Sequence, residues 1–500
     1  MSRERVLVAI LLQATAGCQL ATSNLEQESF SLGSPTIDLI ATGAIDGHRA
    51  DASTLTAGTL EDGIAGNLLG GIGSALAHAG GDIFLALPDR GPNAVAYNGA
   101  VDDTTSYIVR FQTLRMRLTR AEPGAALPFD LAPVLLRTTL LHSLTPLRYG
   151  EGTDVGLKDG TPALNAVAHT HFFTGRSDNF VPGTRSTDAR DARLDPEGVR
   201  VSSDGLRVFV SDEYGPHVYM FDRITGVRLR SFALPDELAV PISNPRGSVE
   251  VAGNTIGRVA NKGMEGLAIT PDGRTLVGAM QSPLLQDGGT DAQFTRLMAI
   301  DLRTGSTRQY AYALTNIGTP SKPKFGTVSE ILAINDHEFL VDERDGKGLG
   351  DDSTAVFKNI FHIDLAGARD VSGLSGATTL ASAAVAKTLF LDIVAVLTSH
   401  GIAAADIPAK LEGLSFGRDV VIDGARRHTL WVANDNDFIA TVVDAHHPTG
   451  IDNPNRFFVF AVDPALLPGF ERQGRAGSDE RDDDDRDRDD NEGSEAVMHR

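Results

Sequence analysis

Residues 195–216 read DPEGVRVSSDGLRVFVSDEYGP. Two alternating apolar runs, VRV and LRVFV, flank the tetrapeptide SSDG at 202–205. Alternation with period two marks half-buried strands, and an Asp-Gly pair between them marks a hairpin turn. Acids stand at both ends: Glu197 before the first strand, Asp212 and Glu213 after the second. A hairpin folds those ends back onto one another, so the three carboxylates are expected as neighbours.

The same grammar recurs along the chain. Glu197, Glu265, Glu330 and Glu412 each open a short apolar strand. Turns follow as SSDG (202–205), TPDG (270–273), IND (334–336) and VIDG (421–424). Second strands then read LRVFVSD, RTLVGAM, HEFLVDE and HTLWVAND, and third strands HVYMFD, RLMAID, NIFHID and FFVFAVD. A degenerate first unit lies in GGIGSALAHAGGDIFLALPDRGP (70–92) and SYIVRFQTLRMRL (106–118). Repeated four-stranded antiparallel units predict an all-β fold, a β-propeller of five or six four-stranded blades. The segment 120–195 is either part of a sixth blade or an insertion. TIDLIATGAI (36–45) is a candidate closing strand for the last blade, and 381–402 reads as one helical insertion.

Composition bounds the function. The formal charge is −21 over 500 residues, which argues against a nucleic-acid partner because phosphate neutralisation needs clustered Lys and Arg. The only cysteine is Cys18, which excludes an internal disulfide framework. It follows a basic MSRER and the short apolar run VLVAILLQATAG, too short to span a bilayer and typical of an export leader. Ala14-Thr15-Ala16 suits ordinary signal cleavage, whereas Thr15-Ala16-Gly17-Cys18 resembles a bacterial lipobox. The position of the cysteine favours a lipoprotein lipidated at Cys18. The expected organisation is a signal segment (1–18), a tether (19–35), the propeller (36–469) and an acidic disordered tail (470–500). The protein is expected to be monomeric and exported, periplasmic or on the outer membrane, touching membrane only through that anchor.

In a blade the start of the first strand and the end of the second share one mouth of the channel. Glu197 therefore joins Asp212 and Glu213; Glu330 joins Asp342 and Glu343; Glu412 joins Asn434, Asp435 and Asn436; Glu265 joins Gln281; and Asp89 closes the degenerate blade. Crowded carboxylates repel and raise one another's pKa. Hard divalent cations with oxygen ligands relieve this, and Ca²⁺ suits the donor set better than Zn²⁺ because no Cys and few His take part. Arg90, Lys262 and Arg344 lie in the same loops, placed either to pair with the acids or to bind a substrate phosphate or carboxylate. His217, just after SDEYGP, is the candidate for proton transfer. Ser415 in GLSFG matches a nucleophile elbow in letters, but it falls inside an inner strand rather than at a strand-to-helix turn.

The DPEG…SDEYGP, KGMEGLAITPDG, LEGLSF and PDRGPN words resemble the phytase-like family, named for the esterase-like activity of phytase, across roughly residues 60–465. The resemblance implies a secreted or periplasmic propeller that hydrolyses esters or phosphoesters. A more distant likeness to calcium-dependent phytases implies Ca²⁺ in an acid-lined channel, admitting a polyanionic substrate. Other readings are a ligand- or protein-binding propeller whose calcium is structural, and a lactonase-type propeller. Two departures stand out: Glu330 lacks the following Gly, and the first blade has Gly where the others have Glu.

Overall fold

A computed structural model describes residues 35–92 and 97–474. The expected leader with Cys18, most of the tether and the tail beyond 474 lie outside the described residues. Among the described residues no helix is long and apolar enough to cross a membrane.

The strands form five four-stranded antiparallel blades. The first holds Ala75–Gly80, Ile83–Leu87, Arg110–Arg115 and Val134–Leu140. The second holds Val199–Val201, Arg207–Asp212, His217–Asp222 and Arg228–Ala233, and the third Met264–Ile269, Thr275–Met280, Phe294–Asp301 and Thr307–Ala313. The fourth comprises Thr327–Ala333, Glu338–Arg344, Lys358–Asp364 and Lys387–Asp392. In the fifth, Lys410–Phe416, Ala425–Asp435 and Asn455–Val462 are completed by the N-terminal strand Ile37–Ile45, which pairs antiparallel with Asn455–Val462. That strand closes the ring by joining the two ends of the domain in one sheet.

The segment 120–195 supplies the outer strand of the first blade and connecting loops, so it builds no sixth blade. The expected helix over 381–402 is also corrected. Lys387–Asp392 is the outer strand of the fourth blade, and only Ile393–Ser399 is helical there, its N-terminus capped by Asp392 Oδ1 accepting from Ala395 N at 2.9 Å. Antiparallel pairing of this segment with Asn359–Ile363 of the third strand makes it a strand.

Each boundary between neighbouring blades is filled by its own apolar cluster. Val199, Val210 and Tyr219 meet Ala77, Leu85 and Phe111 between the first and second blades, and Trp431 and Phe457 meet Leu76 and Phe84 across the closure. The Asp-Gly turns are enforced by backbone conformation: Gly205 and Gly273 sit at φ 71° and 69°, where a Cβ is disfavoured.

Candidate functional site at the acidic mouth

Strand register decides which side chains reach the mouth. Gly266 stands opposite Ala279 and Gly413 opposite Ala433, while Gly198 O accepts from Ser211 N at 3.1 Å. In these three blades the inner strands come too close for a Cβ at this level. A Cβ on Gly266 would lie 2.7 Å from Ile331 N, and one on Gly198 2.6 Å from Leu267 Cβ. In the fourth blade the residue at this level is Glu330, opposite Asp342. Its counterpart to Glu265 is therefore Ser329, and its counterpart to Gln281 is Arg344. In the first blade Ala75 pairs with Leu87, which puts Ser74 and Asp89 in the two positions.

The mouth is thus ringed by Ser74 and Asp89, Glu197 and Glu213, Glu265 and Gln281, Ser329 and Arg344, and Glu412 and Asp435. This corrects the expected fourth-blade contribution of Glu330, Asp342 and Glu343, which is displaced by one residue. Successive strand residues point to opposite faces, so Asp212, Glu343 and Asn434 turn away from the ring. Asp212 Oδ1 accepts from the backbone N of Tyr214 and Asp195 at 3.0 and 3.3 Å, and burial pushes its carboxyl up to about 8. The Glu343 carboxylate takes Tyr312 Oη at 2.5 Å, Thr315 N at 2.8 Å and the Lys387 ammonium. Asn434 Oδ1 accepts from Arg456 N at 2.5 Å. His217 is buried and stacks on Tyr219, ring centroids 5.4 Å apart; burial lowers its pKa to about 4. It is a neutral core residue, not the expected proton carrier at the mouth.

Among the described residues two groups of three carboxylates remain, each with ligand oxygens within 4.8 Å of one another: Asp195, Glu197 and Glu213, and Asp89, Asp435 and Asp437. Each group carries one close cation. Arg90 Nη1 lies 2.6 Å from Asp195 Oδ2 and 4.0 Å from Glu213 Oε2. Lys410 Nζ lies 2.9 Å from Asp437 Oδ1, is also paired with Asp435, and is 3.9 Å from Glu412. Arg344 pairs with Glu412 and donates from Nε to Ser329 Oγ at 2.8 Å. Lys262, half-buried, donates to Gln281 Oε1 at 3.1 Å.

Sequence reasoning missed Asp195, Asp437 and Lys410. Asp195 is the first residue of the quoted stretch and was legible there. Asp437 and Lys410 flank the repeated words of the fifth blade, outside any recurring pattern.

The charge is under-compensated. Burial first, then the neighbouring carboxylates, push Glu197 and Glu265 well above the usual range. Burial likewise raises Asp89 and Glu213 to about 7, against the pull of Lys410 and Arg90 respectively. Asp437, by contrast, is held low: burial opposes this, but the Lys410 ammonium outweighs it. Each group has three carboxylates against one cation, and Glu265 Oε2 is a buried oxygen with no hydrogen-bond partner. An all-oxygen set of this charge fits a hard divalent cation.

Below the ring Arg200 ties the inner strands together. Arg200, buried, donates from Nη1 to Leu76 O and Val199 O at 2.8 and 2.6 Å, and from Nη2 to Ile331 O and Leu414 O at 2.9 and 3.4 Å. Ser415, beside it on the inner strand, accepts from His78 N at 2.9 Å and donates to Phe416 O at 3.1 Å. Those bonds hold the strand and leave the hydroxyl as no free nucleophile.

Fold and mouth together define a five-bladed propeller with an acid-ringed channel mouth and Arg200 tying the inner strands beneath it. Residues 67–438 match the phytase-like family, described as esterase-like activity of phytase, and the chain belongs to that family. An uncharacterized secreted protein of Arthroderma benhamiae is 30% identical over 321 residues, covering 56% of this chain and 60% of that protein. The matched region thus spans less than two thirds of that relative. Among solved structures, a candidate 6-phosphogluconolactonase of Bacteroides uniformis is 13% identical, with 77% of this chain and 88% of that one covered and a TM-score of 0.28. Hydrazine synthase of Kuenenia stuttgartiensis is 10% identical, with 74% and 78% covered and a TM-score of 0.27. At those scores neither likeness carries weight for fold or function.

Proposed function

We propose that the protein is exported and acts at the acidic mouth as a calcium-assisted hydrolase of phosphoesters or other esters. One observation carries this reading: two buried groups of three carboxylates, each with a single close cation, converge on one mouth of the channel, above Arg200. Family membership supports ester hydrolysis. The basic-apolar leader and the secreted Arthroderma relative support export; lipid attachment at Cys18 is proposed from the position of that cysteine after the leader alone.

Asp195, Glu197 and Glu213 would hold one cation, and Asp89, Asp435 and Asp437 a second. A divalent cation supplies Lewis acidity toward an ester oxygen and toward water. The chain supplies the rest. Arg344 and Lys410 present positive charge to the ring and offset the charge that develops on the reacting group. Glu265, with one oxygen unpartnered, accepts or returns a proton at the ring.

The test is a screen with p-nitrophenyl phosphate, p-nitrophenyl acetate and a simple lactone, in calcium and in EDTA. Turnover of a phosphoester or carboxyl ester is expected in calcium, abolished by EDTA and by Glu197→Gln. A folded, calcium-loaded protein that turns over none of the three would sink the hydrolase and leave a ligand-binding propeller.

A further inference from the structure

Beside the Asp195–Glu197–Glu213 group lies a cavity of about 190 Å³ lined by three arginines, Arg90, Arg193 and Arg258, with Tyr214 and Asn261 among its walls. Its volume is below the ~300–1,000 Å³ of sites that enclose whole drug-sized ligands, so it suits one end of a molecule. Two of the guanidiniums are balanced. Arg258 Nη1 is 2.7 Å from Glu250 Oε1 and Arg90 Nη1 is 2.6 Å from Asp195 Oδ2. Arg193 is not: among the described residues it makes no ion pair. It is held by Ser177 O at 3.4 Å and Ser243 Oγ at 3.1 Å, and it lies over the Phe180 and Tyr214 rings at 4.3 and 5.2 Å.

Arg193 is only 3% exposed. A guanidinium does not deprotonate in a protein; the Asp191 and Asp212 carboxyls feel its charge, but neither forms an ion pair with it among the described residues, which leaves its contact position for an anion. Arg90 Nε is a buried donor with no acceptor. The remaining acid of the lining, Asp102, accepts from Gly247 N at 2.6 Å, and partial desolvation raises its carboxyl above the usual range against the pull of Gly247 N and Arg90.

We infer that this cavity is an oxyanion subsite that takes the carboxylate or phosphate end of a small ligand, with Arg193 as its counter-ion. Arg90 belongs both to the cavity and to the acidic group. An anion seated on Arg193 therefore presents the rest of its molecule to Asp195, Glu197 and Glu213. In this the inference rests on the ester-hydrolase reading and adds to it: the ester would carry a second, non-reacting anionic group.

Anion binding is separable from metal and from turnover. The full chain in EDTA is titrated calorimetrically with inorganic phosphate in one arm and succinate in the other. Saturable binding of at least one is expected, weakened about tenfold or more by Arg193→Gln, as for loss of a charged hydrogen-bonding partner. Asn261→Asp, at an exposed rim position where the Asn261 side-chain oxygen accepts from Arg90 Nη1, puts a negative charge on the cavity wall that competes for Arg90, and also weakens binding. Failure of both anions to bind, or equal binding by the wild type and both variants, overturns the inference. Calcium uptake without anion binding also overturns it while leaving the metal reading standing. Anion binding without ester turnover supports it and counts against the hydrolase.

Discussion

The Arg200 guanidinium lies 3.0 Å from the Glu330 carboxylate, and the pair together bonds the inner strands of all five blades. Arg200 reaches carbonyls of Leu76, Val199, Ile331 and Leu414, in the first, second, fourth and fifth blades. Glu330 Oε1 accepts from Leu267 N of the third blade at 2.8 Å and from Ile331 N at 3.0 Å. Burial works against both charges, lowering Arg200 and pushing the Glu330 carboxyl up to about 7, and each partner pulls the other back, so each offsets part of the cost of burying the other.

Arg200→Met is therefore expected to destabilise the protein by about 3–5 kcal/mol, the usual penalty for leaving one buried charge unpaired. Arg200→Met with Glu330→Gln should recover part of that loss, since no naked carboxylate remains. Urea denaturation of the three proteins checks this. A single variant as stable as the wild type would show that the pair is not the axial tie.

Gly266→Ala tests the close approach of inner strands. The new Cβ would meet Ile331 N at 2.7 Å and the Glu330 Cα at 2.8 Å, backbone atoms that cannot rotate aside. Overpacking of this kind costs about 1–3 kcal/mol. Gly253→Ala, in a surface helix with open space at the Cβ position, should be neutral or slightly stabilising in the same melting experiment.

Much of this architecture is readable from residue order. The alternating strands, the Asp-Gly turns and the closing strand at 36–45 follow from local rules, because each blade repeats them. The fourth-blade site residues do not. Glu330 looks like its sister glutamates, yet it occupies the position where the others have glycine. A shift of one residue in a strand moves each side chain to the opposite face. Only the observed pairing of Glu330 with Asp342 reveals that Arg344, not Glu343, faces the mouth. His217 fails for the same reason: nothing in SDEYGPH states which face of its strand is buried.

His217 should leave a mark on acid stability. Its pKa falls from 6.5 to about 4 on folding, through burial and then the nearby Arg228. A group whose folded pKa is depressed favours the unfolded chain once protons bind there. Stability from this residue is thus full above pH 6.5 and lost as pH falls toward 4, by about 3 kcal/mol at most. His217→Phe should flatten the profile of unfolding free energy between those pH values. A slope unchanged by the substitution would place the acid sensitivity elsewhere.

The two carboxylate groups make a stoichiometric prediction. If each holds one divalent cation, calcium titration followed by metal analysis should give two ions per chain. Glu197→Gln should remove one and Asp437→Asn the other, because Glu197 and Asp437 belong to different groups. Binding only to the folded state raises stability by about 2.7 kcal/mol at a free ion concentration one hundred times Kd, so EDTA should lower Tm in the wild type and lower it less in either variant. The effect has a direction in pH as well. Glu197, Glu265 and Asp435 have raised pKa values in the cation-free state, so protons compete with calcium for the same oxygens. Affinity should rise with pH through neutrality, with protons released on binding, and proton release is measurable by calorimetry in buffers of different ionisation enthalpy. One ion per chain, or a stoichiometry that neither substitution changes, would mean that the cations Arg90 and Lys410 already satisfy these groups.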